Sequence, residues 1–158
     1  MDYKSLSDHS RVWIYQSDRK LSEEETTQIK IKGNQFITEW AAHGVKLQAA
    51  FEVFYNLFIV LFVDESEVKA SGCSIDSSVR FIKELELEFQ IDLFNRLNIA
   101  YKEGGEIEIL PMSEFQRALK EGRLTMNTLV FNNLLETKGE FLKKWEVPVK
   151  DSWHKQLM

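Results

Sequence analysis

Residues 57–63, LFIVLFV, are seven consecutive apolar positions that run into Asp64 and Glu65. A membrane span takes roughly 20 such residues, so this run cannot cross a bilayer. It is also short for a buried helix and rich in β-branched and aromatic side chains, which makes it a strand. A strand apolar on both faces belongs at the centre of a sheet. It must be covered on both sides, or covered on one and occluded by a partner on the other.

The flanking pattern fits such a sheet. Arg11–Ser17 holds the short strand-like run VWIY, which stops in polar residues. Ser22-Glu23-Glu24-Glu25 is a capping box in which the serine hydroxyl takes the N3 amide and Glu25 reaches back. The helix it opens carries Ile29, Gly33, Phe36, Ile37 and Trp40 on one face, with Gly44 as its terminator. Leu47–Tyr55 and Leu57–Val63 read as two strands turning at Asn56. A second helix is predicted to start near Ser74–Asp76, with Ile75, Val79, Ile82, Leu85 and Phe89 on its apolar face. Leu97, Ile99 and Tyr101 alternate, Gly104-Gly105 turns, and Ile107 and Ile109 alternate back, a hairpin signature. Ser113–Glu121 forms a third helix, Thr128–Asn132 an edge strand, and Thr137 with Glu140 caps a last helix that Pro148 prevents from continuing.

The expected fold class is therefore α+β: a ferredoxin-like β-α-β-β-α-β core with an antiparallel sheet, extended by β-α-β-α. A chain of 158 residues with 44% hydrophobic and 12% aromatic content suits one globular domain over 1–158. A net charge of −5 with scattered Lys and Arg argues against nucleic acid. The amino terminus MDYKSLSDHS lacks the apolar core of a secretory signal, and a single cysteine suits a reducing cytoplasm. The alternating Glu84, Glu86 and Glu88 read as a solvated helix face.

Phe58–Glu65, FIVLFVDE, has the form of a Walker B strand, whose first acid could hold Mg²⁺ and whose second could polarise water. Phosphoryl transfer also needs the cradle G-x-x-x-x-G-K-[ST], and none of the seven glycines begins one. An ATPase site is not expected. The runs SRVWIYQSDR (10–19), FIVLFVDE (58–65), ASGCSID (70–76) and KDSWHKQ (150–156) together resemble a family of small uncharacterised bacterial proteins often labelled automatically as ABC transporter ATPases. The resemblance covers nearly the whole chain and implies no catalytic residue.

Three places could carry chemistry. The loop Ser71-Gly72-Cys73-Ser74, with Asp76, lies at the mouth of the second helix, where free amides and the positive dipole end attract anions and activate a thiol. The plainer reading, which the residues favour, is a helix cap with Cys73 as a small buried hydrophobe. Asp64, Glu65 and Glu67 stand at the strand end, and His9, His43 and His154 are dispersed; no pairing has metal-ligand spacing, so no metal is expected. Cys73, a histidine and Asp64 could still converge in space as a nucleophilic set. Trp145–His154, WEVPVKDSWH, is a segment expected to pack back on the body. The favoured function is a small cytoplasmic binding or interaction module without cofactor, self-associating through its sheet. The alternative is a small enzyme using Cys73 or the Asp64/Glu65 pair.

Overall fold

A computed structural model describes residues 2–158, which form two compact units: residues up to Phe94 with Glu136–Gly139, and Asn95–Leu135 with Glu140–Met158. The protein is α+β, and both units are built on antiparallel sheets. No helix among the described residues is long and apolar enough to cross a membrane.

The first unit contains β1 (Arg11–Gln16), α1 (Glu23–Glu39), the two-residue strands β2 (Ala41–Ala42) and β3 (Val45–Lys46), β4 (Gln48–Phe54), β5 (Phe58–Asp64) and α2 (Gly72–Phe89). β5 is the central strand, in the order β1-β5-β4, with Val12 opposite Phe62 and Phe51 opposite Leu61. Its Ile59, Leu61 and Val63 join Ile29 and Ile37 of α1 and Ile82, Leu85 and Phe89 of α2 in one core. Phe58, Val60 and Phe62, which point the other way, are also fully buried, and Tyr3 stacks on Phe62 at 5.0 Å. The strand's two-sided apolarity is thus satisfied within one copy of the chain.

Local chemistry explains these elements. The Ser22 hydroxyl accepts from the Glu25 amide at 3.0 Å and Glu25 accepts from the Ser22 amide at 2.9 Å, closing the expected box. Arg19 grips the same carboxylate at 2.9 and 2.8 Å and, with the Ser22 amide, pushes its pKa down to about 2. Gly33 lets α1 lie against the sheet: a Cβ there would collide with the Phe51 ring. Gly44 does not terminate α1. The helix ends at Glu39, and Gly44 turns the β2–β3 hairpin with His43, at φ 79° and 51°. α2 begins at Gly72, earlier than the predicted Ser74–Asp76, because Ser71 is its N-cap.

The second unit holds β6 (Asn98–Glu103), β7 (Glu106–Pro111), α3 (Met112–Lys120), β8 (Leu129–Phe131) and β9 (Glu146–Pro148), in sheet order β7-β6-β8-β9. The Gly104-Gly105 hairpin forms as expected, with both residues at positive φ. The 128–132 strand is interior, between β6 and β9, and not an edge. The Trp145–His154 segment packs within this unit. Trp145 Nε1 donates to Asn133 Oδ1 at 2.9 Å, and Val149 joins Phe115, Leu119 and Val130 in the core.

A ferredoxin-like core would pair the 97–101 strand with β1. Here β1-β5-β4 follows that plan, but β6 pairs with β7 and β8. The ladder positions at the start of β1 are filled by a returning segment. Val12 N–H donates to Glu136 O at 3.0 Å, the Lys138 amide donates to Ser10 O at 2.8 Å, and Arg11 bridges Thr137. Lys138 opens α4 (Lys138–Lys144), and its ammonium, with the residue only 4% exposed, donates to Leu6 O at 2.6 Å and Lys4 O at 3.2 Å.

Candidate functional site

The two acids that end β5 are consumed by the loop that follows them. Asp64 Oδ1 accepts from the Ser66 hydroxyl and from its amide at 2.9 Å, and Oδ2 accepts from the Ser7 amide at 3.4 Å. These bonds, the Ser66 hydroxyl first, hold the Asp64 pKa below its ordinary value. Glu65 Oε2 accepts from the Ala70 amide at 2.8 Å, while Oε1 lies 3.7 Å from Arg11 Nε. Glu67 accepts from Gln48 Nε2 at 3.3 Å. A carboxylate that organises a turn in this way is a structural acceptor, which explains the acids without a metal or an activated water.

The α2 entrance is similarly closed on itself. Ser71 Oγ accepts from the Ser74 amide at 3.1 Å, and Ser74 Oγ accepts from the Ser71 amide at 2.7 Å and donates to Ser71 O at 2.8 Å. Gly72 and Asp76 are exposed. Cys73 is exposed as well, which corrects the buried-hydrophobe reading: the first turn of a helix whose next turns face the core points position 73 outward. Each seryl hydroxyl thus takes the backbone amide of the other residue.

His9 and His43 are exposed, and His154 is buried with Nδ1 2.6 Å from Ser152 Oγ and the Trp153 ring stacked at 4.0 Å. Burial pushes the His154 pKa down to about 4. No group of three or more His, Cys, Asp or Glu among the described residues could hold a metal ion.

A groove of about 560 Å³ lies between α1 and α2, walled by Lys32, Phe36 and Glu39 on one side and Phe81, Glu84 and Glu88 on the other. The helices run antiparallel along it. Lys32 meets Glu88 at 3.2 Å, Phe36 stacks on Phe81 with centroids 4.6 Å apart and planes at 4°, and Trp40 Nε1 donates to Ser74 O at 2.8 Å. The salt bridge closes one end and the tryptophan bond the other. Sequence reading missed this site, although signals existed. Phe81 lies off the apolar stripe of α2, and Glu84 and Glu88 are four apart, hence on one side of the helix. Glu86 faces elsewhere and accepts from the Leu93 amide at 2.7 Å.

No family model, no curated protein and no solved structure matches the chain.

Proposed function

We propose that this protein is a non-enzymatic binding or interaction module and hydrolyses no nucleoside triphosphate. The observation that carries the reading is the state of Asp64 and Glu65. Both carboxylates at the strand end are spent on amides and a hydroxyl of the 66–70 loop and on Ser7. A nucleotide site needs such acids open to Mg²⁺ and water, and it needs a phosphate cradle that the sequence lacks. The single cysteine favours action in a reducing compartment such as the cytoplasm. The test is phosphate release and equilibrium binding with ATP·Mg²⁺. Neither is expected; micromolar ATP binding that disappears in Asp64→Asn would overturn the reading.

The second reading, a small enzyme using Cys73 or Asp64/Glu65, has one observation in its favour: the thiol is exposed at the first turn of α2. Among the described residues no base is hydrogen-bonded to the thiol, so one of the usual routes to an activated nucleophile is missing.

A further inference from the structure

The groove between α1 and α2 is an aromatic floor between acidic walls. Phe36 and Phe81 are only half-buried, although they stack on each other, Phe36 lies tilted against Trp40 and Phe81 meets Phe51 edge to face. Of its three carboxylates, Glu88 is paired with Lys32; Glu39 and Glu84 make no ion pair among the described residues. From Lys32 to Trp40 the groove follows about two turns of α1, roughly 12 Å at 1.5 Å per residue. An occupant of two helical turns spans this length, with apolar side chains at i and i+4 on the one face it turns to the stacked rings.

We propose that this groove docks a basic amphipathic segment of a partner protein, its apolar face on Phe36 and Phe81 and its Lys or Arg side chains toward Glu39 and Glu84. The proposal rests on the binding-module reading and names its site and partner chemistry. Charge complementarity selects the occupant. The two unpaired carboxylates repel an anionic ligand or an anionic membrane, and a second copy of this chain, with net charge −5, is a poor match. Apolar anchors seated in a groove supply affinity, while the charged rim supplies orientation and on-rate.

The experiment uses the full chain and three synthetic helical peptides: one with Leu at i and i+4 among Lys, one with those Leu replaced by Ser, and one with the Lys replaced by Glu. Binding is read by anisotropy and mapped by backbone amide shifts. The Lys/Leu peptide is expected to bind, with shifts concentrated on 32–40 and 77–88, more weakly as salt rises. The Lys/Ser and Glu/Leu peptides should bind about tenfold more weakly or not at all. Glu39→Lys with Glu84→Lys should weaken the Lys/Leu peptide by about tenfold or more. Glu106→Lys, on an exposed position of the second unit, should not. Circular dichroism confirms that each variant is folded. Shifts mapping elsewhere, equal binding of the Glu/Leu peptide, or unchanged affinity in the double variant would each overturn the groove proposal. None of these touches the module reading, which falls only if the same preparation binds or turns over ATP·Mg²⁺ in parallel.

Discussion

His154 should make stability depend on pH between about 6.5 and about 4. Its imidazole is 2% exposed, beside Phe115, Trp153 and Ser152, and burial depresses its pKa from 6.5 to about 4. The folded protein therefore keeps the ring neutral at pH values where the unfolded chain has already protonated it. Between pH about 6.5 and about 4 the unfolded state binds more protons, so stability rises with pH across that window and is lost as pH falls through it. The fall from 6.5 to about 4 amounts to about 3 kcal/mol of stability present at pH 7 and absent below pH 4. Denaturant unfolding of the wild type and His154→Gln, followed by tryptophan fluorescence across this range, isolates the effect. Carboxylates titrate alike in both chains, so the difference between the curves reports His154. That difference should move by about 3 kcal/mol from pH 7 to pH 4. Parallel curves, or a ring-proton NMR titration with a midpoint near 6.5, would refute the reasoning.

Other perturbations have equally direct expectations. Gly33→Ala forces a methyl into the Phe51 ring, and the overpacking of about 1–3 kcal/mol outweighs the helix-propensity gain of about 1; in a Phe51→Ala background the same change should become neutral or stabilising, measured by urea unfolding. Lys138→Met strips the donors from Leu6 O and Lys4 O, so it should cost about 1–3 kcal/mol and speed hydrogen exchange and proteolysis in residues 2–10. Cys73 should react with a thiol reagent in the native state at one equivalent per chain, and Cys73→Ala should leave stability within about 0.5 kcal/mol. A thiol labelled only after unfolding would contradict its exposure.

What the sequence made legible was local or strictly periodic. The apolar run of β5, the Ser22–Glu25 box and the Gly104-Gly105 turn each depend on neighbouring residues alone, and each formed as read. The start of α2 was misplaced because Ser71 and Ser74 are both good caps. Only their reciprocal bonding shows that Ser74 plays the part usually taken by glutamate. The partner of the 97–101 strand was not legible, since alternation says that a strand forms but not which strand it pairs. Lys138 was invisible for another reason. Lysine is normally solvated, and nothing near position 138 announces two carbonyls that lie more than 130 residues away in the chain. At the candidate site, the acids of β5 were easy to notice and turned out to be turn acceptors. The groove was hard to notice because its walls come from helices some fifty positions apart.

The excursion of residues 136–139 has a consequence for how the molecule is made. The chain passes from one unit to the other at 94/95, 135/136 and 139/140. Neither unit is a contiguous stretch that a gene truncation could release. A fragment ending at Phe94 would carry β5 and both its helices, yet Ser10 O, Leu6 O and the Val12 amide would lack their partners. On a ribosome, the last segment of the first unit emerges only after residues 95–135 of the second have been synthesised. The thread of the chain thus works against vectorial, unit-by-unit completion, and a nascent-chain protease assay should find β1 protected only in lengths that include Lys138.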